Sequence, residues 1–251
     1  MLRLSGLTAI EIISLLAALV ISRLNWRIKM KTAWLILLLG SLPCLLTQAP
    51  QKPVSLFNGY ALMGLSKELL KKTSMATIDF VQKSFQDTGV QKDAKELTAD
   101  SSNWHYPLEP HVTTKYWGAV MPTEPQDVKE YQSFREGVST ITRFPVVCYA
   151  VGGLLAMPAF MDITQTPQSN RFPHTTVVTG SLAAQYSNDL IMNLYDQQPE
   201  FAANYDKGFQ NPSQTVYKYT VTIKDQPFTS YVVVLPRSLW ITGTTRRFYI
   251  S

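Results

Sequence analysis

Tyr217-Lys-Tyr-Thr-Val-Thr-Ile-Lys-Asp-Gln-Pro-Phe-Thr-Ser-Tyr-Val-Val-Val-Leu235 carries the pattern that decides the C-terminal fold. Tyr217, Tyr219, Val221 and Ile223 alternate with Lys218, Thr220, Thr222 and Lys224, a period of two that marks a strand with one buried face. Asp225-Gln226-Pro227 should turn the chain and residues 228–235 return as a second strand, which Pro236 ends. Residues 239–242 and 246–250 read as two more short strands around Gly243, completing an antiparallel meander. Arg246 and Arg247 in the last of these read as charges guarding an exposed edge.

Upstream the period lengthens. Residues 181–198 place Ala184, Ser187, Ile191 and Leu194 near one helical face, with Pro199 after them, and a short turn then stops at Gly208. Thr123-Glu-Pro-Gln126 has the form of a capping box, and Val128, Tyr131, Phe134, Val138 and Ile141 continue it as a helical stripe through Arg143. Residues 55–86 read as a further helix with Lys67, Glu68, Lys71 and Lys72 on its solvated side. Residues 87–102 read as a polar linker, and residues 104–125 as an irregular or short-strand segment. Residues 144–161 carry no charge. Their length fits a membrane span, whereas Pro145, Pro158 and the Gly152-Gly153 pair fit a buried core segment; the pattern leaves both open.

The N-terminus adds two apolar stretches, one between Arg3 and Arg23 broken only by Glu11, the other uncharged between Lys31 and Lys52. Each is long enough to approach a hydrocarbon core of about 30 Å. The loop between them carries Arg23, Arg27, Lys29 and Lys31, an orientation signal that would keep it cytoplasmic. The expected class is therefore a membrane-anchored α+β protein. Two transmembrane helices (residues 1–49) precede a helical stalk and linker (50–103) and an exported α+β domain (104–251) with the C-terminal meander. The expected location is a multi-pass membrane protein with its bulk outside the cytoplasm. Residues 30–49 also have the layout of a secretory signal, with Pro50 set against cleavage.

Met1-Leu-Arg-Leu-Ser-Gly6, followed by Leu7-Thr-Ala-Ile-Glu11 and an apolar run, resembles a type IV prepilin leader. The resemblance covers residues 1–22. It implies cleavage after Gly6 and a buried Glu11 carboxylate that pairs with the new α-amino group when subunits stack. Leu7 stands where that family usually has Phe, and the basic loop with its second apolar run departs from the pilin pattern.

The net charge of +5 includes the four positives of that loop, and no basic stripe interleaved with aromatics follows, so nucleic acid is not an expected partner. Cys44 and Cys148 make no disulfide framework, and Cys148 in its apolar context reads as an inert buried thiol. No P-loop, dinucleotide fingerprint, nucleophile elbow or zinc-protease helix occurs. His105-Tyr-Pro-Leu-Glu109-Pro-His111 gathers two imidazoles and a carboxylate, candidates for a metal or for acid–base work, though with no fourth ligand. His174 reads as a surface residue. Trp104, Tyr106, Tyr116 and Trp117 are candidates for a partner-binding face.

The expected function is a non-enzymatic structural or assembly component of a multi-protein cell-envelope complex. Its partners would be the lipid bilayer, other membrane proteins or further copies of itself, and no cofactor is expected. The alternatives are a membrane-tethered envelope enzyme using His105, Glu109 and His111, and a minor pilin-like subunit.

Overall fold

Lys224 and Asp225 both take left-handed backbone conformations, φ 52° and 58°, and close strand β7 (Val216–Ile223) onto β8 (Gln226–Ile250). Ile223 faces Gln226, so the turn has two residues and the twist that suits an antiparallel hairpin. The turn therefore lies ahead of the expected Asp225–Pro227. The computed structural model describes residues 56–99, 101–116, 123–133, 136–161 and 170–250.

β8 is one 25-residue strand where three short ones were expected. Pro236 does not end it because of what lies opposite. β3 (Ser139–Ala150) pairs Phe144 with Leu239 and then Val146 with Val234, so the ladder breaks around Pro145 and Pro236 together. Each proline sits where its missing N–H costs no ladder hydrogen bond. The other side of β8 carries β7 along its first part and β1 (Leu56–Met63) along its last.

β2 (His111–Tyr116), β4 (Leu154–Pro158), β5 (Phe160–Met161) and β6 (His174–Thr179) complete an eight-stranded antiparallel sheet. Its main path runs β2-β1-β8-β3-β4-β6. Helices α1 (Lys67–Phe85) and α2 (Thr88–Thr98) cover one face, where Leu70, Ile78, Val81, Val90 and Leu97 meet Val147, Tyr149, Leu155 and Val178. Helices α4 (Tyr186–Gln197) and α5 (Pro199–Asp206) cover the other, where Leu190, Ile191, Leu194 and Phe201 meet Val146, Cys148, Ala150 and Leu154. Successive residues of β3 thus enter opposite cores. A strand buried on both faces needs an unbroken apolar run, and this is why residues 144–161 carry no charge. They form the end of β3, a turn with Gly152 at φ 69°, β4 and β5.

The expected class is corrected accordingly. The described residues build an antiparallel sheet between two helical layers, and none of their helices is long and apolar enough to cross a membrane. The expected multi-pass localisation finds no membrane-spanning helix among these residues, and residues 144–161, the possible third span, are sheet. The two expected spans, the orientation residues Arg23, Arg27, Lys29 and Lys31 and the prepilin-like segment lie outside the described residues.

Local differences have local causes. The expected helix of residues 55–86 divides at Gly64-Leu65-Ser66 into β1 and α1, because the Ser66 side chain accepts from Leu69 N–H and caps a new start. The expected linker holds α2, capped by Asp87. The capping box at Thr123 precedes a shorter helix, α3 (Pro125–Ser133), and after Gly137 (φ 86°) the β-branched run Val138-Ser-Thr-Ile-Thr joins the sheet.

Two carboxylates tie α2 to the sheet. Asp87 accepts from Gly89 N–H at 2.9 Å and from the Tyr231 hydroxyl at 2.7 Å. Asp93, buried, accepts from the Tyr149 hydroxyl and from Gly152 N–H at 2.6 Å. The Tyr231 hydrogen bond, more than any other cause, holds the Asp87 carboxyl below its ordinary value of 3.8, against its partial burial. A depressed folded pKa contributes stability that is whole above the ordinary value and lost as pH falls through the folded one. Asp87→Ala should cost about 1–2 kcal/mol in denaturant unfolding at pH 7. Asp87→Asn should retain the cap and lose the part of the acid dependence between those two pKa values.

Candidate functional site

The two ends of the sheet path, β2 and β6, are tied to each other. His105 N–H donates to the Thr179 carbonyl at 2.8 Å, and Thr179 N–H returns to His105 at 3.0 Å. Farther along, Asn170 N–H donates to the Thr114 carbonyl at 3.0 Å and its side-chain amide to the Thr113 carbonyl at 3.2 Å. Both ties fall in one antiparallel register. Between them lie Pro110 and Pro173, both buried, and neither has an N–H with which to continue the ladder. The Pro173 carbonyl is taken by Ala159 N–H at 2.8 Å. The seam is closed at its ends, and the residue after each proline is a histidine.

His111 and His174 are held by the same device. The His111 Nδ1 lies 2.8 Å from the Glu109 carbonyl, and the His174 Nδ1 lies 2.7 Å from the Phe172 carbonyl. A carbonyl can only accept, so Nδ1 carries the proton in both rings and Nε2 carries the lone pair of the neutral form. Burial lowers both pKa values below the ordinary 6.5. The surroundings then differ. In each ring the carbonyl at Nδ1 acts against the burial; at His111 the Glu109 charge adds to that, whereas at His174 the charge of His111 opposes it. The two rings are therefore near enough to sense each other, with environments that push their proton affinities apart.

Each histidine is followed two residues later by a threonine, so Thr113 shares a strand face with His111 and Thr176 with His174. The Thr176 Oγ1 lies 2.9 Å from the Oγ of Ser187 on α4. Lys115, 7 % exposed, donates to Asp127 at 2.8 Å and Glu130 at 2.5 Å, holding α3 against β2 just beyond Thr113.

The sequence candidates are redistributed. His105 contributes backbone to the seam, and its side chain is exposed; Glu109 contributes its carbonyl. Only His111 of that cluster enters the paired site, and among the described residues no three His, Cys, Asp or Glu side chains come together as a metal-ligand set. Trp104 is buried against the α1–α2 core, and the Tyr106 hydroxyl lies 3.0 Å from Ser74 Oγ. These two pack the structure together. The Tyr116 side chain and Trp117 lie outside the described residues. Cys148 is fully buried, which pushes its thiol pKa far up and leaves it inert. His174, expected at the surface, is half-buried and belongs to the site. The signal for it was the repeat Pro110-His-Val-Thr113 and Pro173-His-Thr-Thr176, visible only when distant segments are compared.

No known family model matches the chain, and no curated protein does. Among solved structures it is similar to one titled "Crystal Structure of Fungal RNA Kinase", at 13% identity and a TM-score of 0.41. That similarity covers 80% of this chain and spans about half, 47%, of the other. It is too slight to carry an argument about fold or function.

Nuclear magnetic resonance of imidazole-labelled protein should show both rings as the Nδ1–H tautomer, titrating below 6.5. His111→Gln should raise the His174 pKa, because it removes a charge that opposes protonation. An unchanged or lower His174 value would mean that the rings do not interact.

Proposed function

We propose that this chain is an enzyme that transfers or hydrolyses phosphoesters by paired-histidine acid–base catalysis. The observation that carries the reading is the duplication: two imidazoles, each with Nδ1 anchored to the carbonyl two residues back, meet at one seam within electrostatic reach.

Displacement at phosphorus requires a base at the entering oxygen, an acid at the leaving oxygen and hydrogen-bond donors for the non-bridging oxygens. Two histidines and two threonine hydroxyls supply that set. His174, whose proton affinity His111 lowers, takes the proton from the attacking hydroxyl or water through Nε2. That oxygen forms its bond to phosphorus as the opposite P–O bond breaks with its electron pair. His111, in its doubly protonated form, gives its Nε2 proton to the departing oxygen; burial disfavours that form, and the Glu109 carbonyl and carboxylate act against the burial. Thr113 and Thr176 donate to the non-bridging oxygens, and Ser187 fixes the Thr176 hydroxyl. The pKa values governing turnover belong to the pair, and the pH–rate profile should be bell-shaped.

A binding role without catalysis, as a subunit of a larger assembly, draws on a different observation. Ile141 and Trp240, 60% and 62% exposed, lie on one face of neighbouring strands.

The test is turnover of a panel of aryl and alkyl phosphodiesters, phosphomonoesters and carboxylic esters by the wild type, His111→Ala, His174→Ala and the double variant. Each single change should lower kcat on a phosphodiester by about 10²–10⁴. The double variant should lose little more than the worse single one, since paired residues act as a unit. Wild-type turnover no faster than the double variant's on every ester would sink the reading.

A further inference from the structure

The β7–β8 hairpin turns through a residue whose type the turn does not ask for. Lys224 and Asp225 both hold positive φ, 52° and 58°. A two-residue turn of this kind favours asparagine, aspartate or glycine, because longer L side chains crowd the backbone there. Asp225 meets that preference and Lys224 does not. The Lys224 side chain supplies the reason. Its Nζ lies 4.1 Å from the centroid of the Tyr186 ring, a cation over an aromatic face at the first residue of α4. The same ammonium hydrogen-bonds the Tyr186 side chain, and this contact above all holds the phenol below its ordinary pKa of 10.0.

That contact decides where the first turn of α4 sits. No side chain caps this end of the helix. Leu190, Ile191 and Leu194 press α4 onto the sheet, and apolar packing, being non-directional, fixes its height more firmly than its position along a strand. Position along β7 is fixed by polar contacts in sequence. Lys224 meets Tyr186, the Asn193 amide donates to the Thr222 carbonyl at 2.6 Å, and the Gln198 amide donates to the Thr220 carbonyl at 3.3 Å. α4 therefore runs alongside β7 in the opposite direction. Asn193 and Gln198 hold its later turns, and Lys224 holds the turn that carries Ser187. Ser187 is fully buried, with its Oγ 2.9 Å from Thr176 Oγ1.

We propose that Lys224 is a positioning residue for the paired-histidine site, acting through Tyr186 and Ser187 on the Thr176 hydroxyl. The inference takes the task of Thr176 from the paired-histidine reading. For Thr176 to give its proton to a non-bridging oxygen, it must accept from Ser187. A first turn that slips along β7 loses that direction, and the Thr176 hydroxyl turns to the Ala184 carbonyl, 3.5 Å away. The bond to the non-bridging oxygen tightens as charge gathers there in the transition state. Lys224 therefore acts on kcat and leaves KM alone.

The experiment uses the full chain as wild type, Lys224→Asn, Lys224→Arg, Ser187→Ala and the Ser187→Ala/Lys224→Asn double variant. Asparagine suits positive φ, so Lys224→Asn should unfold no earlier on heating than the wild type. Its kcat on a phosphodiester should still fall about fivefold, with KM unchanged. Lys224→Arg keeps a cation over the ring and should stay near wild type. In the Ser187→Ala background Lys224→Asn should cost nothing further. A wild-type kcat in Lys224→Asn, or a loss that persists without Ser187, overturns the proposal. The Thr176 methyl resonance reads the contact without turnover. Lys224→Asn should move it toward its position in Ser187→Ala, and Lys224→Arg should restore it; a resonance that Lys224→Asn leaves unmoved overturns the proposal. The expected movement in a chain that turns over no ester supports the Lys224 contact and removes the catalytic reading, so the two fail separately.

Discussion

The interrupted closure between β2 and β6 is the constraint on which the rest depends. An antiparallel pair normally fills the space between its strands with N–H···O=C bonds, which leaves no place for a reagent. Here, among the described residues, backbone hydrogen bonds join the two sides at His105–Thr179 and at Asn170–Thr114, while between them the Pro173 carbonyl turns to Ala159 on the other side. The prolines also restrict the residue before each, and those segments carry the carbonyls that hold the two imidazoles. The same short segments thus orient both imidazoles at the seam.

Such a gap stays open only if the sheet around it is rigid. β3 and β8 run through the middle with apolar residues entering two cores, and the helices on both faces lock their curvature. Polar ties are few and specific: Asp87 with Tyr231 and Asp93 with Tyr149 fix α2, and Lys115 fixes α3. The tyrosines stack with ring centroids 6.3 Å apart, so the two acidic contacts brace one another. Packing thus sets the distance between the two histidines, and that distance sets what chemistry they can share.

What the chain shows on inspection and what it hides follow from the same physics. The hairpin at residues 216–226 was legible because one face of β7 is solvated and the alternation survives. The central strand was not, because burial on both faces erases the alternation and leaves an apolar run that reads equally well as a membrane span. α2 was hidden by its polarity: Val90, Ala94 and Leu97 are its whole apolar stripe, and its Asp87 cap looks like a loop residue. The site was half-visible. His111 stood out among its sequence neighbours His105 and Glu109; His105 serves the seam through its backbone, and Glu109 serves His111 through its carbonyl and its charge. His174, its actual partner, is brought close only by closure of the sheet, an event to which local sequence is blind.

His111 and His174 address one and the same group if the paired-histidine chemistry holds. A crystal structure of the protein soaked with vanadate, an oxyanion that mimics phosphorus in displacement, tests it most directly. One vanadate should bind at the β2–β6 seam, within hydrogen-bond distance of both Nε2 atoms and of Thr113. Vanadate held by a single imidazole, or two rings too far apart to touch one oxyanion, would contradict it.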